Sequence, residues 1–101
     1  MDRITDKHLQ ALVDRLNRET GSPMTAYTKY ASGLCRANVG NFHLDHAYSG
    51  VNLARMYNEG GGISQPLGGA YGTKRELYDK LAAMLVGIDF GRRPIVESEA
   101  A

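Results

Sequence analysis

A glycine-rich loop followed at once by two cations is the stretch of this sequence best suited to bind an anion. It runs from residue 57 to 78 and reads YNEGGGISQPLGGAYGTKRELY. The glycines at 60–62 open backbone conformations closed to other residues and let a ligand approach the main chain. A helix that begins after Thr73 presents unpaired amides and the positive end of its dipole, and Lys74 and Arg75 lie at that end. The pattern predicts a phosphate at this helix start. The alternative is that both cations face water and pair with neighbouring acids.

Tyrosine is the second residue type that could do chemistry here. The chain has six tyrosines, two phenylalanines and no tryptophan. A tyrosine ring offers a flat face and a polar tip, which suits stacking on a nucleobase, although a tyrosine-rich sheet can equally pack against its own helices. For Tyr48, which precedes Ser49 and Gly50 and lies ahead of the glycine loop, both interpretations stay open.

The remaining reactive side chains do not predict a catalytic or metal site. His43 and His46 flank Asp45, but in a strand residues 43 and 45 share one face and 46 lies on the other, so the three do not converge on a metal. Cys35 is the only cysteine, and the sequence places no activating partner beside it, so we expect a small, partly buried thiol in a reducing compartment. The sequence therefore indicates a binding site rather than an active site, with no cofactor.

Length and charge narrow the class of protein further. A chain of 101 residues predicts one domain. The net charge of +1, from 12 Lys and Arg against 11 Asp and Glu, supplies no overall attraction to DNA, RNA or an anionic membrane. No apolar run approaches the roughly 20 residues of a membrane span. The first residues, MDRITDKHLQ, are too polar for a signal peptide, so a cytoplasmic location is expected.

Two amphipathic helices and a central sheet must position these residues. The segment ITDKHLQALVDRLNRETG has apolar residues at helical spacing, with Thr5 as the expected N-cap and Gly21 as the residue that ends the helix. The segment TKRELYDKLAAMLVGID is the second helix, in which Thr73 and Glu76 have the spacing of a capping box. Its apolar stripe is expected to face the core.

The region from about residue 25 to 58 predicts antiparallel hairpins of short strands. It is rich in tyrosine, valine and threonine and is interrupted by glycine-containing turn signals. VNLARMYN also contains good helix formers, but glycines bound it closely, so we favour a strand. The expected fold is α+β: an N-terminal helix, a small antiparallel sheet of short strands and a C-terminal helix. Residues 1–90 would form a single ligand-binding domain and residues 91–101 a flexible C-terminal tail.

Much of the chain resembles a known family. The segments ANVGNFHLDHAYSGVNLARMYNEGGG and PLGGAYGTKRELYDKLAAMLVGI, preceded by ITDKHLQALVDRLNRETGSP, are similar to small phage proteins of the first-described Thoeris anti-defence family, the cyclic ADP-ribose sponges. The resemblance covers about residues 4 to 88. Its most specific parts are YNEGGG, TKRELY and LNRETG.

The resemblance implies a function without catalysis. Proteins of this family bind a glycosidically cyclised ADP-ribose signal made by bacterial TIR enzymes, and thereby starve the effector that the signal activates. Some members also sequester cyclic trinucleotides at a separate site and disarm a second defence system. They assemble as homodimers and often as homohexamers.

The resemblance also implies particular contacts. The family uses an aromatic residue that stacks on the base, a later asparagine and an arginine at the start of the last helix, and Tyr48, Asn58 and Arg75 follow that order here. Tyr48 stands where members carry phenylalanine. For the family's upstream arginine we choose Arg36, with Arg55 as the second choice. Together with the backbone argument above, the predicted ligand-binding residues are Tyr48, Asn58, Arg75, Thr73, Gly61, Gly62 and Arg36.

The sequence thus predicts a non-catalytic, homo-oligomeric protein that sequesters a cyclic ADP-ribose isomer, and in some settings a cyclic trinucleotide, in the cytoplasm of an infected bacterium. Two alternatives remain. One is a small phage structural or protein-interaction module without a nucleotide ligand. The other is an enzyme that degrades the same signals.

Overall fold

Two helices pack on one side of a small antiparallel sheet, and a separate two-stranded ribbon follows the first helix. The architecture comes from a computed structural model, which describes residues 3–92. The elements, in chain order, are α1 (Asp6–Thr20), β1 (Tyr27–Lys29), β2 (Cys35–Ala37), β3 (Phe42–Ala47), β4 (Gly50–Met56), β5 (Ile63–Ser64) and α2 (Lys74–Arg92). The predicted α+β fold with its antiparallel short strands is confirmed.

The ends of α1 are the ones that the sequence predicts. The Thr5 hydroxyl accepts from the backbone N–H of His8 at 3.3 Å, and the Thr5 N–H donates to Nδ1 of His8 at 3.1 Å. Gly21 ends the helix with φ 69°, and its N–H donates to the carbonyl oxygens of Asn17 and Arg18. These contacts satisfy backbone groups that the helix itself leaves unpaired.

The three-stranded sheet has the order β3-β4-β5 and is antiparallel throughout. The strand assignment of VNLARMYN is confirmed, because β4 is its central strand. The buried side chain of Asn17 ties α1 to this sheet: its Nδ2 donates to the carbonyl oxygen of Phe42 at 3.0 Å, and its Oδ1 accepts from the Phe42 N–H at 2.8 Å. A buried amide satisfied on both sides specifies where the helix docks.

The core lies between the helices and one face of this sheet. Leucines at spacing four on α2 meet the apolar stripe of α1 and the inward-facing residues of β3 and β4. The buried cluster consists of Leu9, Val13, Leu16, Phe42, Val51, Leu53, Leu77, Leu81 and Leu85. On the opposite face of β4, the Asn52 amide donates to the carbonyl oxygen of Gly68 at 2.9 Å, so the 65–72 segment covers that side.

The β1–β2 ribbon forms its own two-stranded sheet, and most of its residues are exposed. It is joined to the rest through the Ala37 N–H, which donates to the Glu59 carbonyl oxygen at 3.1 Å. Cys35, in β2, is exposed, so the expectation of a partly buried thiol is wrong. The ribbon does not join the main sheet, which leaves its strands without the burial that central strands receive.

Helix α2 continues to Arg92, two residues into the predicted tail; the rest of that tail, 93–101, lies outside the described residues. Between residues 3 and 92, no helix has the length and apolar character needed to cross a bilayer.

Candidate functional site

Tyr48, at the tip of the β3–β4 hairpin, is the most exposed of the large hydrophobic and aromatic residues within residues 3–92. Ala47 pairs with Gly50, so Tyr48 and Ser49 form a two-residue turn. Both have positive φ, 52° and 59°, as a type I′ turn requires. A bulky residue seldom adopts that conformation, because its Cβ crowds the backbone. The Tyr48 side chain is nevertheless 89% exposed, so the strain is not offset by burial of the ring.

A second tyrosine packs against this ring. The centroids of Tyr48 and Tyr71 are 5.4 Å apart, and the planes meet at 65° in an edge-to-face contact. The Tyr71 hydroxyl donates to Oδ2 of Asp45 and accepts from Nε2 of Gln65 at 3.1 Å. The hydrogen bond to Asp45 raises the pKa of Tyr71 above its usual 10.0, because removing the proton would place two negative groups side by side.

A cavity of about 380 Å³ opens between this hairpin turn and the start of α2. Two close backbone approaches shape it: Val51 and Gly72 exchange hydrogen bonds of 3.0 and 3.2 Å. A Cβ on Gly50 would lie 2.9 Å from the Gly72 carbonyl oxygen. The lining residues are His46, Ala47, Ser49, Gly50, Val51, Gly72, Thr73 and Lys74.

Lys74 and His46, which both line this cavity, share one carboxylate. Lys74 Nζ lies 3.5 Å and His46 Nε2 lies 3.4 Å from the same Oδ1 of Asp6. The hydrogen bond from His46, followed by the charge of Lys74, holds the pKa of Asp6 below its usual 3.8. An anionic group bound in the cavity would therefore compete with Asp6 for these two side chains. The acid that pairs with Lys74 is Asp6 of α1, whereas the alternative to the anion site predicts a neighbouring acid.

The first turn of α2 already holds an acid of its own. The Thr73 N–H donates to Oε1 of Glu76 at 2.8 Å, and the Glu76 N–H donates to the Thr73 hydroxyl at 3.1 Å. The predicted capping box is confirmed. Hydrogen bonds from the backbone and then the side chain of Thr73 to the ionised carboxylate lower the pKa of Glu76 below its usual 4.5. Thr73 lines the cavity, but its amide is occupied by this carboxylate.

Arg75 lies in the same first turn of α2, and its side chain lies on the side that faces the start of α1. Its guanidinium carbon lies 5.9 Å from the centroid of the Tyr78 ring. Together with Tyr78, Ile4 and His8 it lines a separate hollow of about 280 Å³. Arg75 is therefore near the start of α2, as predicted, but it borders a different hollow from the one beside the Tyr48 turn.

The predicted glycine and asparagine contacts lie at the other end of β4. Asn58 Oδ1 accepts from the Gly62 N–H at 2.8 Å, and the Asn58 carbonyl oxygen accepts from the Gly61 N–H at 3.3 Å. A Cβ on Gly62 would lie 2.6 Å from Asn58 Nδ2. Gly61 has φ 96°, and a Cβ there would lie 3.2 Å from the Tyr27 hydroxyl. These residues build the β4–β5 turn beside the ribbon.

The two candidate upstream arginines have different surroundings. Arg36 Nη1 pairs with Glu59 Oε1 at 3.2 Å, so Arg36 belongs to the Asn58 end of β4. Arg55 lies over the Phe42 ring, 4.5 Å from its centroid, and its Nε donates to the Gly40 carbonyl oxygen at 3.1 Å. Arg55 thus stabilises the sheet through a cation–π contact.

One chain therefore does not bring the seven predicted residues together. The seven-residue strand β4 runs between the two groups and, at about 3.3 Å per residue, separates them by roughly 20 Å. We call the two groups the Tyr48 end (Tyr48, Thr73 and the cavity, with Arg75 nearby) and the Asn58 end (Arg36, Asn58, Gly61 and Gly62).

The sequence argument missed four contributors to the Tyr48 end. Asp45 and Tyr71 are 26 positions apart and His46 and Asp6 are 40 apart, so no local pattern relates them. One signal was available in the sequence: Asp45 and His46 are consecutive polar residues, on opposite faces of a strand that leads directly into the Tyr48 turn. His43 instead contacts Asn41, at 3.2 Å. Across residues 3–92, no group of three or more His, Cys, Asp or Glu side chains is placed to hold a metal ion.

Comparison of the chain with protein-family models, with curated proteins and with solved structures finds no match.

Proposed function

We propose that this chain binds and sequesters a cyclic ADP-ribose-type immune signal, unchanged, in the cytoplasm of an infected bacterium. The proposal rests on the family resemblance of the sequence and on one observation. Tyr48 is an exposed tyrosine in a strained turn, and the next residue of that turn, Ser49, lines a cavity together with Lys74 and His46. Strained conformations of bulky residues persist where the surrounding structure enforces them, and they occur most often at functional sites.

The chemistry of the Tyr48 end suits the two halves of such a ligand. The Tyr48 ring offers a face for adenine, and stacking of a base on an aromatic side chain contributes about 1–3 kcal/mol. Lys74 and His46 lie where a pyrophosphate could replace the Asp6 carboxylate between them. The cavity is within the size range of small-ligand sites, about 300–1,000 Å³.

The separation of the two ends supports a homo-oligomer. If Tyr48 and Asn58 both contact one ligand, they must come from different copies, because roughly 20 Å of β4 lies between them in one chain. A two-fold dimer would place the Tyr48 end of each copy against the Asn58 end of the other, giving two equivalent sites. A homohexamer could be built from such dimers.

Retention of the ligand tests this function. Purified protein is incubated with glycosidically cyclised ADP-ribose isomers and cyclic trinucleotides, freed of unbound material and boiled, and mass spectrometry identifies what is released. We expect an intact cyclic ADP-ribose isomer. Release of a cleaved product would support the degrading enzyme instead, and release of nothing would overturn the proposal.

A matched pair of variants locates the site. Tyr48→Ala should weaken binding about 10- to 100-fold, the loss expected for one stacked base. Val86→Ala, which also truncates an exposed apolar side chain but lies on α2, should bind like the wild type. Equal affinity for Tyr48→Ala and the wild type would remove Tyr48 from the site.

A protein-interaction module is the second candidate, and the β1–β2 ribbon favours it. Met24, Tyr27, Tyr30 and Leu34 are each about half exposed along this segment, and clustered exposed apolar side chains mark interaction surfaces. A pull-down from infected lysate that recovers one host or phage protein in stoichiometric amount, without a bound nucleotide, would favour this function over sequestration.

A further inference from the structure

We infer that Tyr71 is a positioning residue for the Tyr48 ring: its hydroxyl is held by Asp45 and Gln65, and its ring limits the orientations that Tyr48 can adopt before a ligand arrives. This inference rests on the proposed function for its ligand, but the restraint on Tyr48 can be observed without one.

Tyr71 is held at both of its ends. Its hydroxyl makes one hydrogen bond as a donor, to Asp45, and one as an acceptor, from Gln65. Its backbone lies against Gly50, where an added Cβ would come within 3.1 Å of the Tyr71 carbonyl carbon and Cβ. The next residue, Gly72, is hydrogen-bonded to Val51 in both directions. A side chain restrained at the backbone and at its tip has little rotamer freedom left.

Tyr48, by contrast, depends on Tyr71 for its order. The edge-to-face contact at 5.4 Å is its ring contact within residues 3–92, and the ring is 89% exposed. An exposed tyrosine without such a contact would sample several rotamers and lose that freedom on binding, which weakens the affinity. The contact with Tyr71 leaves Tyr48 89% exposed, so ring surface remains for a base.

The hydroxyl of Tyr71 is already used on both sides, so we assign it no direct contact with the ligand. Its proton is retained at physiological pH, because the usual pKa of tyrosine is already 10.0 and the hydrogen bond to Asp45 raises the pKa of Tyr71 further. The donor that fixes the ring is therefore present whenever the protein works near neutral pH. The role of Tyr71 is to orient Tyr48.

Two variants test the inference. Tyr71→Phe keeps the ring but removes both hydrogen bonds, and Asp45→Asn keeps the shape while replacing a charged acceptor by a neutral one. Affinity is measured by calorimetry with ADP-ribose and its glycosidically cyclised isomers. We expect binding about 3- to 10-fold weaker for Tyr71→Phe, because Tyr48 would regain rotamer freedom that it must lose on binding, and a smaller loss for Asp45→Asn. Tyr30→Phe, the matched removal of a hydroxyl in the ribbon, should bind like the wild type.

A ligand-free measurement separates this inference from the proposed function. In the NMR spectrum of the unliganded protein, the ring protons of Tyr48 should show a ring-current shift from Tyr71. That shift should shrink in Tyr71→Phe and remain in Tyr30→Phe, with unfolding midpoints recorded for each variant. If the wild type binds no ligand but the shift still shrinks in Tyr71→Phe, the proposed function is wrong and the positioning role of Tyr71 is supported. If Tyr71→Phe keeps both the shift and the affinity, the inference is overturned.

Discussion

The two ends of β4 are both tight turns, yet they are built from opposite kinds of residue. At the Asn58 end, Gly61 occupies the position of positive φ, and the Asn58 side chain closes the turn by accepting from Gly62. At the Tyr48 end, Tyr48 and Ser49 take positive φ without being glycine. The turn at the Asn58 end has a glycine where the backbone is left-handed. The turn at the Tyr48 end has two residues that seldom adopt a left-handed backbone.

The comparison teaches where to look for function. Three consecutive glycines first indicate a backbone cradle for a ligand. In this structure they form the β4–β5 turn and hold it beside the ribbon. A tyrosine that carries the conformational cost of a left-handed turn while exposing its ring has no comparable structural reason. In this molecule, the more informative feature is the residue that opposes its local geometry.

The largest expected effect is on the backbone beneath the Tyr48 end. Gly50→Ala would put a Cβ 2.9 Å from the Gly72 carbonyl oxygen, and because that atom is backbone it cannot rotate away. We expect the free energy of unfolding to fall by about 2–3 kcal/mol in urea denaturation. Gly87→Ala, on α2 with nothing within 4 Å of the added Cβ, is the control and should raise it by up to about 1 kcal/mol. A Gly50→Ala variant as stable as the wild type would contradict the close approach.

The second prediction contrasts stability with binding at the Tyr48 turn. Asparagine tolerates a left-handed conformation better than tyrosine, so Tyr48→Asn should leave the free energy of unfolding unchanged or raise it by up to about 1 kcal/mol. Binding of the cyclic ADP-ribose isomer should still weaken about 10- to 100-fold, because the stacking face is gone. At the other end, Gly61→Ala should destabilise by about 1 kcal/mol. If Tyr48→Asn is the more destabilising of the two, the tyrosine is structural.

The third prediction separates the two roles of Asn58. Asn58→Ala removes the acceptor for the Gly62 N–H and should lower the free energy of unfolding by about 1 kcal/mol. Asn58→Asp retains an acceptor oxygen and should be nearly neutral for stability. The added negative charge should nevertheless weaken a pyrophosphate ligand that a second copy presents. Asn58→Asp with wild-type affinity would exclude the Asn58 end from the site.

The smallest effect is an acid sensitivity at the start of α2. The folded-state pKa values of Asp6 and Glu76 lie below their usual 3.8 and 4.5, so both carboxylates stabilise the fold at neutral pH. That contribution is lost as the pH falls below about 4.5 and through the lowered values. Urea unfolding measured from pH 6 to pH 3 should show a shallower loss for Glu76→Gln than for the wild type. Identical profiles would mean that the capping carboxylate adds nothing.

Much of the fold followed from local pattern. Thr5 and Gly21 delimit α1 as expected, and Thr73 with Glu76 caps α2, because a cap depends on residues within one helical turn. The strand assignment of β4 rested on the glycines around it and is also local. The pairing of Lys74 with Asp6 could not be predicted in this way, because it depends on how α1 lies beside α2.

The candidate site divided in the same manner. Thr73 lines the cavity and Tyr48 lies in the turn whose Ser49 also lines it, whereas Gly61, Gly62 and Asn58 belong to another turn. Residues 48 and 61 are close in the sequence, but the extended strand β4 lies between them and separates their turns in space. Strand geometry, at about 3.3 Å per residue, converts a short sequence separation into a long distance.

By itself, the sequence determined the helices, their caps, the antiparallel strands and the position of Tyr48 next to a turn, since each depends on neighbours a few positions away. Only the tertiary structure decided that Tyr71 and Asp45 lie beside Tyr48, that His46 and Lys74 meet at Asp6, and that the glycines serve the far end of β4. These contacts join segments that packing of the core brings together. No short stretch of the sequence contains both partners, so local patterns could not predict them.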